Sequence, residues 1–312
     1  MSAHHQPLFI IAAHGGAGYH PPESDSSLKR SLRAAISSAL PAFSGATITH
    51  NSSSSESSSL ALDATTAVIV ALEDHPDFNA GYGSNLTFDG QVECDASLMV
   101  STEEKGKGSP LSPPPSPSPS FPFSFGSVGA VSGVRNPVLL ARCILEGRRQ
   151  REGMGMGRVP PLTLVGEGAV KFARERGVPV VDSPEEMVAP RARQEWRVWR
   201  ERCCRDHGDG DEKVESKDLP SGEEGGTEAL RVRLDTVGAV VLVGEAREVG
   251  QRPEVAAGVS RCVVPSIFPF LSAHATYFLP FSGGILLKHS GRVGEVSQRN
   301  RLFLSYFERH TS

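Results

Sequence analysis

The chain has 312 residues, of which 38 % are hydrophobic, and its formal net charge at pH 7 is −4. This weakly negative charge gives no electrostatic basis for binding nucleic acid or an anionic membrane, so neither is an expected partner. The five cysteines form no CxxC pair, which argues against a disulfide framework or a zinc site, and no metal or cofactor is expected. No apolar run approaches the roughly 18 residues of a membrane span. We therefore expect an intracellular protein of the cytoplasm, with the nucleus as an alternative.

The first third of the chain predicts a strand followed by two helices. The apolar run 8–13 predicts a buried strand, and the glycines after it allow a tight turn. Apolar residues at helical spacing predict one helix from Ser27 and a second over residues 60–74. Residues 51–59 are nearly all serine, and residues 101–124 are dominated by proline and serine, so both are predicted to be disordered inserts.

The second insert is followed by further alternation of strands and helices, which favours a layered α/β protein. Residues 128–134 predict a strand, and Asn136 with Pro137 predicts a helix start, because Asn caps and Pro fits the first helical position. A capping box at residues 183–186 predicts a charged helix. Its basic residues allow two interpretations, a nuclear-localisation patch or an amphipathic helix, and interleaved tryptophans and glutamates favour the helix. Residues 206–233 are polar and predict a flexible linker.

The junction after this linker carries the candidate chemistry. Asp235 and Thr236 stand directly before an apolar run, 239–243, that suits a central strand. A threonine at a chain start is a compact catalytic unit, because its hydroxyl is the nucleophile and its own α-amine accepts the proton. Such an amine has a pKa of about 7.7–8.0, close to working pH. On local chemistry alone, however, an Asp-Thr pair before a strand is more often a plain cap or turn.

Five segments, read together, make a catalytic role for Thr236 the better interpretation, because they stand in the order found in one enzyme family. HGGAG at residues 14–18, residues 73–84, ECDAS at 93–97, DTVGA at 235–239 and the SGG and GRVG motifs within 282–294 resemble the asparaginase/isoaspartyl-peptidase family of N-terminal-nucleophile hydrolases. Within that family, further segments are most similar to the threonine aspartase (taspase) branch. These are residues 18–20, 83–85, 165–168 and 287–289, together with the long linker. The resemblance implies an α/β fold, an αββα sandwich, over a single domain spanning residues 8–295.

The resemblance also implies what the junction does. The chain is expected to cut itself between Asp235 and Thr236, leaving an α part, 1–235, and a β part, 236–312. The resemblance implies that these parts form a heterodimer, and it makes a dimer of heterodimers a further expectation. Thr236 is then the catalytic nucleophile.

Other site residues follow from the same resemblance. The hydroxyl of Ser282 is expected to support the nucleophile, and Arg292 to bind the aspartyl carboxylate of the substrate through its planar fork of donors. The remaining expected site residues are two glycines beside that arginine and two residues that organise the site: Gly291, Gly294, Asn79 and Gly16. Family chemistry uses no histidine base, so His14 is expected to be a structural hydrogen-bonding residue. Glu93 and Asp95 lie in a predicted hairpin and are expected to serve packing or polar networks.

Two segments depart from the family pattern. Residues 261–281 separate Ser260 from Ser282, which would otherwise be adjacent. Residues 296–298 have the sequence that a splice donor would encode, and they open the tail 296–312. We interpret both as translated introns, an aberrant insert and a non-family tail. The expected family C-terminal part is then missing, and the fold is expected to be C-terminally truncated.

Three functions remain open at this point. The first is an endopeptidase that cuts protein or peptide substrates after aspartate. The second is an isoaspartyl peptidase/L-asparaginase acting on small β-aspartyl compounds, and the third is an inactive truncated remnant. The residue after Gly294 would separate the first two, since family asparaginases have an aspartate there, but Glu295 stands at the suspected splice edge.

Overall fold

The computed structural model describes residues 7–16, 22–44, 59–101, 123–150, 157, 159–206, 236–245, 254–262, 294–298 and 301–308. The strands are β1 (Pro7–His14), β2 (Cys94–Ser101), β3 (Phe123–Val131), β4 (Thr163–Val165), β5 (Thr236–Glu245), β6 (Glu254–Cys262), β7 (Gly294–Gln298) and β8 (Arg301–Glu308). The α-helices are α1 (Pro22–Ser37), α2 (Leu60–Glu73), α3 (Pro137–Arg149), α4 (Gly166–Glu175) and α5 (Pro190–Asp206).

The described strands form a single sheet with the order β4-β3-β2-β6-β5-β1-β8-β7. Only β3 and β4 run parallel, and the other neighbours are antiparallel. The run predicted to be a central strand is β5, and it lies between β1 and β6. The pair β5 and β6 is therefore inserted between β1 and β2, which come from the first third of the chain.

Helices α1, α2 and α3 pack against the sheet, and the burial pattern of β5 shows the face they cover. Val237, Ala239, Val241 and Val243 are buried, while Val240 between them is 39 % exposed. Because side chains alternate along a strand, one face of the sheet lies in the core and the other is open among the described residues. The mixed α/β class is confirmed, and the described strands form one sheet rather than the two that the resemblance implies.

The junction of α2 and α3 corrects one detail of the sequence analysis. Asn136 stands at the start of α3 as expected, but its side chain does not cap that helix. Its Nδ2 donates to Asp74 Oδ1 at 3.1 Å, and the amide of Val138 donates instead to Glu73 Oε1, also at 3.1 Å. The expected side-chain cap is wrong because a carboxylate from α2 reaches the same helix end.

Some boundaries also differ from the sequence pattern. Ser59, at the end of the first predicted insert, is the N-cap of α2, and its Oγ accepts the amide of Leu62 at 3.1 Å. Strand β3 begins at Phe123, where the register with β2 starts, rather than at residue 128. The capping box at residues 183–186 is present, but it caps a single 3-10 turn, and α5 begins later at Pro190. No helix that the structure describes is both long and apolar enough to cross a membrane.

Candidate active site

Thr236 is the first residue of β5 and is half-buried. It pairs with Arg261 of β6, and the next residue, Val237, faces the helices and is fully buried. Alternation along the strand therefore directs the Thr236 side chain to the open face of the sheet. A hydroxyl there is partly accessible, while the Thr236 backbone lies in register with Arg261 of β6.

A row of three residues crosses the sheet at this level. Arg261 pairs with Thr236 on one side and with Asp95 of β2 on the other. The Arg261 Nε donates to Asp95 Oδ2 at 3.1 Å, and Asp95 Oδ1 accepts the amide of Ala130 at 3.0 Å. Ala130 has a φ of 48°, a strained conformation for a residue with a side chain. This confirms that Asp95 belongs to a polar network.

His14, at the end of β1, lies beside Thr236. It pairs with Gly238, and a Cβ added to that glycine would lie 2.4 Å from His14 Nε2. Burial lowers the pKa of His14, and a hydrogen bond to the backbone of Thr236 partly opposes that effect. His14 thus buttresses the start of β5, which agrees with the structural role expected of it. The glycine two residues after Thr236 makes room for the ring.

The segment after His14 contacts a loop that is distant in sequence, residues 76–85. Gly16 has a φ of 121°, which favours glycine. Gly15 lies against Phe78, since a Cβ there would be 2.5 Å from the ring. The neighbouring Asn79 is buried, and its carbonyl oxygen accepts the amide of Cys262 at 3.1 Å. Gly16 and Asn79, which the resemblance predicts to organise the site, therefore lie in two segments that meet at the end of the sheet where Thr236 begins β5.

Asn79 also shapes its own loop. Its Oδ1 accepts the amide of Asn85 at 2.8 Å, which closes the loop on itself. Two glycines inside the loop allow a close approach of backbone: a Cβ on Gly81 would lie 2.5 Å from the Glu73 carbonyl oxygen, and one on Gly83 would lie 2.2 Å from that of Phe78. The glycine-rich pattern is therefore a packing requirement of the loop.

Glu73 is a buried acid for which the sequence analysis assigned no role. Its carboxyl is fully buried, and burial raises its pKa to about 8. Ser260 is near enough to lower that pKa somewhat, but neither Glu73 Oε2 nor Ser260 Oγ has a hydrogen-bond partner at normal distance among the described residues. An acidic residue at the end of the apolar run 67–72 of α2 was the available signal in the sequence.

The remaining predicted residues are not gathered at this point. The backbone of Gly294 begins β7 and pairs with Ser305, so β8 and β1 separate it from β5. The others lie outside the described residues, and their roles stay predictions: Asp235, Ser282, Gly291 and Arg292. Among the described side chains, no group of three or more His, Cys, Asp or Glu is placed to hold a metal ion.

The chain belongs to the asparaginase family of N-terminal-nucleophile hydrolases, whose family model matches residues 6–108 and 122–260. These ranges include Thr236, His14 and the loop 76–85, and they end one residue before Arg261. The chain is similar to the plant-type L-asparaginase of Pyrococcus abyssi, with 33 % identity over 76 % of this chain and 54 % of that protein. It is also 32 % identical to the human isoaspartyl peptidase/L-asparaginase over 58 % of this chain and 42 % of that protein. The chain thus spans about half the length of the archaeal relative.

Proposed function

We propose that this protein is a threonine-type hydrolase of aspartyl or asparaginyl amide bonds, with Thr236 as its nucleophile. One observation carries the proposal: Thr236 begins a central strand, half-buried, where the segment 14–16 and the loop 76–85 converge. For that hydroxyl to act as a nucleophile, a base must be within reach to take its proton. The α-amine of the same residue would be that base once it is freed.

Freeing the amine requires cleavage of the bond between Asp235 and Thr236. In the proposed step the Thr236 hydroxyl attacks the carbonyl carbon of Asp235, its proton passes to the departing nitrogen, and an ester replaces the amide. Water then hydrolyses the ester, which gives fragments 1–235 and 236–312. With a pKa of about 7.7–8.0, the new amine is partly neutral at working pH and can take the proton of the hydroxyl in later turnovers.

The sheet order supports a stable α/β heterodimer after such a cut. Strands β5 and β6 would belong to the new fragment, and they are flanked by β1 and β2 of the first fragment. The pairing of β1 with β5 covers residues 7–14, and that of β2 with β6 covers residues 94–100. The pairing of β1 with β8 also crosses the cut, so the fragments would stay joined by three ladders of backbone hydrogen bonds. A dimer of these heterodimers stays a prediction.

The register also supports a role for Ser282. Arg261 stands directly across from Thr236, and it is the first residue of the segment 261–281. If that segment is a translated intron, its removal joins Ser260 to Ser282. Ser282 would then take the position of Arg261 and place a hydroxyl opposite the nucleophile. The family match ends at residue 260, which is consistent with this proposal. Sequencing the mature transcript tests it, and finding codons 261–281 there would reject it.

Two substrate classes remain candidates for this site. The names of the similar proteins, L-asparaginase and isoaspartyl peptidase, favour small β-aspartyl compounds. The segments 18–20, 83–85, 165–168 and 287–289 favour the aspartase branch and cleavage of proteins after aspartate. In either case Arg292 is proposed to bind the substrate carboxylate. Purified protein, made with and without residues 261–281, would be assayed on L-asparagine and on an aspartate-containing peptide. Turnover of asparagine without peptide cleavage would exclude the endopeptidase.

Self-cleavage is the direct test of the proposed function. The purified chain is expected to give two bands, and N-terminal sequencing of the smaller one should begin at Thr236. The Thr236→Ala variant should stay intact, and Thr236→Ser should still cleave because it keeps a hydroxyl. An intact wild-type chain, with or without residues 261–281, would support the inactive remnant instead.

A further inference from the structure

Helix α5 has no role in the proposed chemistry, yet its first turn contacts the loop 76–85. The guanidinium of Arg191 reaches two backbone carbonyls of that loop. Its Nε and Nη2 donate to the Pro76 oxygen at 3.2 and 3.1 Å, and Nη2 also donates to the Gly83 oxygen at 2.7 Å. These two carbonyls stand near the two ends of the loop, so one side chain bridges it.

The position of Arg191 is itself well supported. Its Nη1 lies 2.7 Å from Glu195 Oε2, one helical turn further along α5, and its side chain is only 20 % exposed. A guanidinium presents its donors in a rigid plane, so it can serve a carboxylate on one edge and carbonyls on another. An ammonium has no such plane.

A second contact joins α5 to the next turn of the same region. Trp196 Nε1 donates to the Phe88 carbonyl oxygen at 3.1 Å. The indole also covers Gly90, where an added Cβ would lie 3.0 Å from the ring. Helix α5 is therefore fastened to residues 76–90 at two points. The predicted helix is present, with Trp196 half-buried on it.

The loop held by Arg191 reaches the candidate active site from its other side. Asn79, between the two bridged carbonyls, accepts the amide of Cys262 through its own carbonyl. Cys262 follows Arg261, the residue opposite Thr236. We propose that Arg191 is a positioning residue, which clamps the loop so that Asn79 stays docked at the strand end facing the nucleophile. This inference rests on the proposed function for its effect on catalysis, but the clamp itself does not.

Two measurements on the same samples of the full chain test the clamp. Amide hydrogen exchange of residues 76–85 reports loop opening, and the rate of appearance of the Thr236 terminus reports the reaction. The variants are Arg191→Ala and Arg191→Lys, with Arg197→Ala as a matched control, because Arg197 is an exposed arginine on the same helix. Since hydrogen bonds from a charged donor are strong, Arg191→Ala should raise loop exchange by about tenfold or more and slow self-cleavage.

Rescue separates positioning from a general loss of structure. Methylguanidinium added to Arg191→Ala should restore slow exchange in the loop and faster cleavage, whereas exchange within α5 should be unchanged throughout. Arg197→Ala should behave as wild type in both measurements. The proposal would be overturned if loop exchange in Arg191→Ala stayed at the wild-type rate. It would also be overturned if exchange in α5 accelerated as much as exchange in the loop and methylguanidinium restored neither.

The remaining outcomes are also decisive. Fast loop exchange with cleavage at the wild-type rate would overturn the positioning role. If Arg191→Ala does not fold, the Arg191→Lys variant tests the clamp instead. Lysine keeps the positive charge near Glu195 but lacks the planar fork of donors. Loop exchange at the wild-type rate in that variant would overturn the clamp. Absence of cleavage in the wild-type chain would defeat the proposed function, while loop exchange would still judge the clamp.

Discussion

Replacing Glu73 by glutamine should make the protein more stable at neutral pH, although it removes a buried, hydrogen-bonded side chain. Glu73 is fully buried at the end of α2, and its Oε1 accepts the amide of Val138. The groups that face the carboxyl are Asp74, Cys94, Asn136 and Ser260, and none of these is a cation. A glutamine keeps the acceptor for Val138, offers an amide donor to Ser260, and never ionises.

The magnitude follows from the pKa. Burial raises the pKa of Glu73 from 4.5 to about 8 in the folded protein. Between these values the folded state holds a proton that the unfolded state has lost, so stability is fully present below pH 4.5 and falls as pH rises towards 8. The loss is about 1.4 kcal/mol per pH unit, or about 3 kcal/mol at pH 7. Glu73→Gln should recover most of it at pH 7 and little at pH 5.

Urea denaturation from pH 5 to pH 9 measures this difference. The wild-type free energy of unfolding should decline up to about pH 8, with its curve flattening above that, and Glu73→Gln should lack this part of the decline. Glu175→Gln, at an exposed position at the end of α4, is the matched control and should follow the wild type. Parallel curves for Glu73→Gln and the wild type would refute the assignment of Glu73 as a buried neutral acid.

Three further predictions concern the site and its assembly. Gly83→Ala should lower the melting temperature, because its Cβ would meet the Phe78 oxygen at 2.2 Å, whereas Gly168→Ala, with no atom within 4 Å, should not; a loss of about 1–3 kcal/mol is expected for the first, and equal melting temperatures would contradict this packing. Gly238→Ala should slow self-cleavage, since its Cβ would lie 2.4 Å from His14 Nε2; an unchanged rate on a gel would show that His14 does not buttress Thr236. After cleavage, the fragments 1–235 and 236–312 should elute together in gel filtration and separate only in denaturant; separation in native buffer would contradict the strand order.

The strands and their central element follow from local pattern. The apolar run after Thr236 is long enough and sufficiently rich in valine to specify a buried strand, and the structure places it as β5 between two neighbours. The helix after Asn136 is predicted for the same reason, since Pro137 and the apolar spacing that follows are local signals, although its cap comes from Glu73. Such features depend on periodicity and caps, which a single sequence displays.

The contacts that organise the site could not be predicted in this way. Glu73 and Val138 are 65 positions apart, and Arg191 and Gly83 are 108 positions apart. Nothing in the local sequence pairs them, because each contact is created by the packing of one element on another. The resemblance to a family identified Asn79 and Gly16 by position in a motif, but the reason they matter, a loop docked against a strand end, is a property of the fold.

The antiparallel order explains why these distant segments meet at one end of the sheet. The register places four strand ends side by side at one end of the sheet. They are the last residues of β1 and β6, His14 and Cys262, and the first residues of β5 and β2, Thr236 and Cys94. A cut before Thr236 would change the connectivity of the chain there but would leave both flanking strand pairs in place. The same arrangement would therefore hold the nucleophile before cleavage and expose its amine afterwards. A site built this way needs no rearrangement between the two stages, so the loop clamped by Arg191 should show the same exchange rates before and after cleavage.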